Sequence, residues 1–211
     1  MQLIAMLTML IDHTGYIFFP EQPAWRYIGR IAFPLYCYLL VQGHLHTSSR
    51  PRYLFRLLLI AVASQIPYNF ALAPFGLNVV FTLLVSAAIL SLLDRLPHPA
   101  YGIPAVLAAL WVMDRLPFDY NAYGLLLVLV FRYLPAFWAV AGHLAINFIY
   151  LFYYGWAIQM FSLLPTLVIA FGDGAVTRLN RIKPPRWVWR VFYPVHLALL
   201  AAVKWSYGDG L

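Results

Sequence analysis

The chain has 211 residues, of which 64% are hydrophobic and only 10% charged, and its formal net charge is +7. A mean hydropathy of +0.77 excludes an ordinary soluble domain, and one cysteine excludes a disulfide framework or a multi-cysteine metal site. No cleavable signal peptide, repeat or aqueous appendage is expected, so the sequence predicts a single all-α domain, residues 1–211, built as a polytopic bundle of transmembrane helices.

The apolar stretches predict about nine membrane spans at roughly 20 residues per crossing. In chain order they are expected at 2–20, 25–46, 53–72, 77–93, 97–113, 118–132, 135–154, 156–172 and 187–207. The segments 97–113 and 118–132 are short and flanked by Asp/Arg pairs, so a count between eight and ten also fits.

The basic residues predict the orientation. With a cytoplasmic amino terminus, about nine spans would leave most of the 14 basic residues on the cytoplasmic side, as positively charged loops require. These residues are Arg50, Arg52, Arg56, Arg95, Arg132, Arg178, Arg181, Lys183, Arg186 and Arg190. The net positive charge therefore indicates orientation and not nucleic-acid binding.

Two adjacent ionisable residues, Asp12 and His13, interrupt the apolar first span. Each costs at least ~2.5–3.5 kcal/mol in hydrocarbon, so the pair must face protein or water, and Arg30 lies at a similar depth in the second span. Neighbouring residues diverge by about 100° on a helix. We therefore expect Asp12 to pair with Arg30, either as a structural ion pair or within a functional site, and His13 to point toward a substrate.

Further polar residues fall between the midplane and the outer face in this topology, several of them spaced i, i+4 on one helix face. They are Gln65, Asn69, Asn78, Thr82, His143, Asn147 and His196. These residues predict one shared polar cavity that binds substrate or stabilises an oxyanion. Interhelical hydrogen bonds are the alternative interpretation.

The cytoplasmic basic residues also have two interpretations. They satisfy the topology rule without any further role, or they bind the phosphates of a polyanionic cofactor through the forked donors of arginine. The candidates for phosphate binding are Arg50, Arg52, Arg56, Arg178, Arg181, Lys183 and Arg186. No metal-ligand motif is present, so no metal is expected.

Four sequence blocks resemble the TraX family, which is typified by the F-pilin acetylase. They read MLIDHTGYIFFP at 9–20, YIGRIAFPLYCYLLVQGHLHTSSRPRYLFRLLLIAVASQIPYNFA at 27–71, NVVFTLL at 78–84 and FYPVHLALL at 192–200. The resemblance implies an inner-membrane, multi-pass acyltransferase that uses cytoplasmic acetyl-CoA. The chain departs from the family pattern at Gln42 and Gln65, where members often carry Glu, and such a change removes any general-base role there.

Mapped onto this chain, the resemblance implies His13, Asp12 and Arg30 as catalytic residues. His13 would take a proton from an amine or hydroxyl acceptor, or would itself carry the acetyl group, while Arg30, Asn78 or Asn147 would stabilise the oxyanion. The expected partners are acetyl-CoA from the cytoplasm, an acceptor peptide or glycan from the outer side, and membrane lipids. Homodimer formation is left open. The alternative function is a small-solute or proton-coupled carrier that uses the same three residues.

Overall fold

The computed structural model describes residues 1–208, and residues 209–211 of the predicted domain lie outside this range. Within it the chain forms α-helices joined by short connections and two 3₁₀ helices, Pro99–Gly102 and Ala157–Ser162, and no strand. The α-helices are α1 (Gln2–Phe18), α2 (Pro23–Gly29), α3 (Ala32–His46), α4 (Arg50–Ala71), α5 (Val79–Leu93), α6 (Ile103–Arg115), α7 (Tyr123–Tyr133), α8 (Ala136–Tyr154), α9 (Leu163–Phe171), α10 (Asp173–Arg181) and α11 (Arg186–Ser206).

The all-helical class is confirmed, and each predicted span overlaps helical structure. By length and apolar composition, two of the described helices, α4 and α8, could each cross a membrane alone. A third candidate combines residues 157–171 with α10 through a 96° bend. These apolar helices mark the chain as a membrane protein, while the count of about nine spans and the orientation remain predictions.

The second predicted span is two helices, because the chain turns at Arg30 and Ile31 between α2 and α3. Gly29 closes α2 directly against α1. A Cβ at this position would overlap the Asp12 carboxylate, so only glycine allows the two helices to approach this closely. The break therefore places the Arg30 side chain beside the ionisable pair of α1.

The core lies between the first five helices, α7, α8 and α11. α11 packs along α4, α1 packs against α2 and α3, and α8 packs against α9. Side chains such as Phe33, Cys37, Leu90, Tyr123 and Leu197 fill the centre of this core and are fully or almost fully buried. Cys37 thus has the packing role of a small apolar residue.

An ion cluster around Asp94 joins four helices at one end of the bundle. Its carboxylate contacts His44 of α3 at 2.9 Å, Arg50 of α4 at 2.8 Å and Arg132 of α7 at 3.1 Å. Burial would raise the pKa of Asp94, but hydrogen bonds from His44 and Arg132 hold the pKa below its ordinary value. The contacts of the ionised Asp94 carboxylate therefore stabilise the fold at neutral pH. This stabilisation is lost only as the pH falls below about 4. Arg50, which the sequence predicts as a phosphate-binding residue, has its guanidinium paired with Asp94 in the structure.

Candidate active site

A cavity of about 460 Å³ opens where α1 and α2 meet the connections that precede α7 and follow α8. We call it the histidine cavity. It brings together ionisable residues that are far apart in sequence, and its polar lining includes Asp12, His13, Arg26, Arg30, Asp119 and Gln159. The three residues predicted as catalytic therefore line one cavity.

Asp12 is held by two arginines. Both its oxygens accept hydrogen bonds from Arg30 Nη2 at 3.0 Å, and Oδ2 also accepts one from Arg26 Nη1 at 2.9 Å. The second pairing arises because α2 presents residues 26 and 30 one turn apart, on the same face. Asp12 therefore fixes the positions of both guanidinium groups beside the cavity.

His13 contacts His196 of α11, and the hydrogen bonds fix the tautomers of both rings. His196 Nδ1 lies 2.8 Å from the carbonyl oxygen of Phe192, which can only accept, so His196 Nδ1 carries a proton. The Nε2 atom of a neutral His196 must then accept the 2.8 Å hydrogen bond from His13 Nδ1. His13 Nε2 is consequently left with a free lone pair on a ring that lines the histidine cavity.

His143 and Asn147 do not line the histidine cavity. They form a buried hydrogen-bond network behind it with Tyr123, in which the Tyr123 hydroxyl lies 2.7 Å from His143 Nε2 and 2.9 Å from Asn147 Oδ1. Gln159 joins this network to the cavity, since its amide donates to the Tyr123 hydroxyl and accepts from Arg30 Nη1 at 3.2 Å. The sequence predicts that His143 and Asn147 contact substrate. The structure instead places them behind the cavity, where Gln159 links their network to Arg30.

Gln65, Asn69 and Asn78 also lie outside the histidine cavity, contrary to the prediction of one shared polar space. Their amides secure the connection between α4 and α5. Gln65 donates to Asn69 and to the Gly76 carbonyl, and accepts from Asn78, which caps α5 through the Val80 amide. A carboxylate at position 65 could not donate to Gly76, so glutamine suits this local structure.

Asp119 is one of the cavity residues that the sequence analysis missed. It lies in the connection between α6 and α7, where its amide donates to Leu77 at 2.9 Å and its carbonyl accepts from Thr82 at 2.6 Å. The next two residues, Tyr120 and Asn121, have positive φ angles of 64° and 44°. Such backbone strain costs about 1–3 kcal/mol per residue and is common at functional sites. In the sequence, Asp119 is only an acidic residue at the edge of a predicted span, and this position does not indicate a site.

Asp119→Asn is expected to stabilise the protein at pH 8 and to have little effect at pH 4.5. Burial, with a smaller contribution from Asp12, raises the pKa of Asp119 to about 6 despite the opposing charge of Arg30. The folded state therefore favours the protonated acid, and ionisation costs stability as the pH rises from about 4 to 6. Thermal unfolding in detergent should show a midpoint about 2–4 °C higher per kcal/mol recovered. Equal shifts at both pH values would contradict this expectation.

A second cavity, of about 670 Å³, begins at the opposite end of α1. We call it the basic cavity. The charged and aromatic residues of its lining include Arg56, Lys183, Arg186, Arg190, Trp189 and Tyr193. On α1, Met9 lines the basic cavity and Asp12 lines the histidine cavity, a separation of about 4.5 Å along the helix axis. The two cavities therefore contact α1 within about one helical turn of each other.

Three of the seven predicted phosphate-binding residues, Arg56, Lys183 and Arg186, line the basic cavity, and Arg190 joins them. Arg52, Arg178 and Arg181 are exposed and are not part of its lining. For Arg178 and Arg181 the reason is that α10 is an exposed helix with no buried residue. Within residues 1–208, no group of three potential metal ligands is found.

The comparison with known proteins agrees with the sequence blocks. The family model described as TraX protein matches residues 1–204. The chain belongs to the TraX family. A TraX-like relative, the probable fimbrial assembly protein FimC, serogroup H1, of Dichelobacter nodosus, is 28% identical over 240 aligned residues, which cover 97% of this chain and 94% of the relative. No solved structure matches the chain.

Proposed function

We propose that this TraX family member is an acetyltransferase of the inner membrane that moves an acetyl group from cytoplasmic acetyl-CoA to an acceptor on the other side. The proposal depends on Nε2 of His13, which the hydrogen-bond pattern leaves unprotonated on the wall of the histidine cavity, while Met9 on the same helix lines the basic cavity. An imidazole in this state can act as a general base near neutral pH.

We extend the proposal to the topology. About nine spans with a cytoplasmic amino terminus would place the basic cavity at the cytoplasmic face, because its cations belong to the predicted cytoplasmic segments. The histidine cavity would then open toward the outer face. Several of the spanning helices would be short or broken, as α2 with α3 and α9 with α10 are. Such irregular segments occur in membranes where they line a cavity.

In the proposed step, the acceptor enters the histidine cavity and its N–H or O–H lies against His13 Nε2. His13 removes the proton while the acceptor nitrogen or oxygen attacks the thioester carbonyl. The tetrahedral oxyanion then collapses, the carbon–sulfur bond breaks, and the departing thiolate takes the proton back from His13. His196 orients the imidazole by accepting from Nδ1, the role that a carboxylate has in a Ser-His-Asp triad.

Arg30 contributes positive charge and one free donor. Its Nη1 and Nη2 atoms are occupied by Gln159 and Asp12, but its buried Nε has no hydrogen-bond partner. An unmatched buried donor costs about 1–3 kcal/mol, and a developing oxyanion would satisfy it. Asn78 and Asn147 are not available for this role, because their amides bind backbone carbonyls and neighbouring side chains.

The basic cavity suits coenzyme A in shape and charge. Arg56, Lys183, Arg186 and Arg190 would bind its phosphates, and the apolar inner part, which includes Met9, Leu83 and Tyr193, would accept the pantetheine arm. The thioester would then reach the inner end of the cavity, about 4.5 Å along α1 from the histidine cavity.

We propose a pilin-type peptide amine as the acceptor, with a saccharide as the second candidate. The support for a pilin-type acceptor is that a relative covering nearly the whole chain is named a probable fimbrial assembly protein. The test is to supply purified protein with radiolabelled acetyl-CoA and either a peptide with a free amino terminus or an oligosaccharide. Label on one acceptor and release of free thiol are expected, whereas intact acetyl-CoA with both acceptors would overturn the proposal.

Coenzyme A binding should depend on the cations of the basic cavity. Lys183→Ala and Arg190→Ala are each expected to weaken binding of coenzyme A by about tenfold, since a charge-assisted hydrogen bond contributes about 1.5 kcal/mol or more. The matched control is Arg178→Ala, which removes an exposed cation from the neighbouring helix. Binding can be measured by titration calorimetry in detergent. Equal losses for all three variants would indicate a nonspecific charge effect and contradict the assigned site.

A proton-coupled carrier is the weaker candidate. Its central acid, Asp12, is already paired with two arginines, so a protonation cycle would have to break both ion pairs. Thiol release from acetyl-CoA distinguishes the two functions, because a carrier would release none.

A further inference from the structure

Tyr193 occupies the boundary between the two cavities. Its side chain lines the basic cavity, and its ring centroid lies 6.5 Å from that of His13 in an edge-to-face arrangement. His196, which orients His13, follows three residues later on α11 and lies 5.5 Å from the Tyr193 ring. This spacing places both residues on one face of the helix. Tyr193 is thus the residue of the basic cavity that reaches the His13–His196 pair.

The hydroxyl group of Tyr193 is buried without a hydrogen-bond partner. The residue is 6% exposed, and its oxygen finds no partner among the described residues. The backbone amide of Val79 faces this oxygen, but an N–H can only donate, so the phenolic proton has no acceptor. Buried tyrosines normally pair their hydroxyl groups, and leaving one unpaired costs about 1–3 kcal/mol. The phenolic proton of Tyr193 is thus available to a ligand atom that accepts a hydrogen bond.

The Tyr193 hydroxyl lies in the cavity proposed for acetyl-CoA. This location identifies which atom of the thioester would accept its hydrogen bond. The carbonyl oxygen of a thioester is uncharged before attack and becomes an oxyanion in the tetrahedral intermediate. A donor fixed at the inner end of the basic cavity would meet that oxygen from the side opposite to the histidine cavity. Oxyanion holes commonly combine two such donors.

We propose that Tyr193 is a catalytic residue whose hydroxyl donates a hydrogen bond to the thioester carbonyl oxygen and stabilises the oxyanion together with Arg30 Nε. The inference rests on the proposed acetyl transfer. No proton is transferred from Tyr193: its hydrogen bond strengthens as charge develops on the oxygen and weakens when the carbon–sulfur bond breaks. His13 remains the group that takes and returns the proton.

The test compares Tyr193→Phe with Tyr150→Phe. Tyr150 is also buried but lines neither cavity, so its variant controls for the loss of a phenol from the core. Thiol release by Tyr193→Phe is expected to fall by about 10²–10³-fold in kcat. Its affinity for coenzyme A, which lacks the acyl oxygen, should stay at the wild-type value. The thermal midpoint should stay close to the wild-type value, because the phenolic proton that the variant removes has no acceptor in the unliganded protein. Tyr150→Phe should retain turnover.

Two outcomes would overturn the inference separately from the proposed function. Wild-type kcat in Tyr193→Phe would exclude an oxyanion role, and a loss of coenzyme A affinity as large as the loss of kcat would indicate a binding or structural role. If the wild-type protein itself releases no thiol, the proposed function fails and the role of Tyr193 fails with it.

Discussion

His13→Ala is expected to lower acetyl transfer by about 10²–10⁴-fold, the usual contribution of a positioned general base, while the protein stays folded. The hydrogen bonds from His13 to His196 and from His196 to the Phe192 carbonyl leave Nε2 of His13 as the unprotonated nitrogen on the cavity wall. Alanine removes that nitrogen and leaves the ion pairs of Asp12 intact. Thiol release from acetyl-CoA measures the effect, and the elution profile in detergent checks the fold.

The control for this variant is His46→Ala, which removes an exposed histidine near the end of α3. It should retain wild-type turnover. If His13→Ala also retains turnover, another group is the base, and His196 becomes the candidate because it is the second ring of the pair. His143 is a poorer candidate, since Tyr123 and Thr166 occupy its two nitrogens.

The second large effect is expected from Asp12→Asn, which should destabilise the fold by about 3–5 kcal/mol. Asparagine is nearly isosteric but leaves Arg30, whose side chain is only 12% exposed, without its directly paired carboxylate. The thermal midpoint in detergent should fall by about 2–4 °C for each kcal/mol lost, with turnover abolished. The exposed cation Arg52 supplies the control: Arg52→Met should leave the midpoint unchanged.

A double variant separates the structural role of this ion pair from its role in catalysis. Replacing a buried ion pair with apolar residues is often neutral or stabilising, so Asp12→Leu combined with Arg30→Met should recover much of the midpoint lost in Asp12→Asn. It should not recover turnover, because the charge and the free Nε of Arg30 are gone. Turnover recovered together with stability would show that the pair has a structural role only.

The sequence predicts the helical class and part of the site, because ionisable residues in an apolar span have few acceptable environments. Asp12 and Arg30 therefore had to meet each other or water, and they meet at 3.0 Å. The partnership of His13 with His196 could not be predicted, since 183 residues separate them and only the packing of α1 near α11 joins them. Arg26 escaped notice because it lies at the outer end of the predicted second span, where a basic residue can reach water and needs no partner.

The i, i+4 spacing of polar residues correctly predicts that they share a helix face. It does not reveal what that face contacts. Gln65 and Asn69 do share a face, but that face meets the carbonyl groups of the connection to α5 and not a cavity. Loop carbonyls need donors when they are buried, and a sequence pattern does not reveal where a loop will fold back. Arg50 illustrates the same limit, because its partner Asp94 lies 44 residues away.

The most direct test of the central claim is to locate the acyl group of bound acetyl-CoA. An analogue with a photoreactive acyl group can be cross-linked to the purified protein and the labelled residues mapped by mass spectrometry, with coenzyme A as competitor. The account predicts competable labelling of Met9 and Tyr193, where the basic cavity approaches His13. Labelling confined to Tyr16 and Trp156 in the histidine cavity would contradict entry of the donor through the basic cavity.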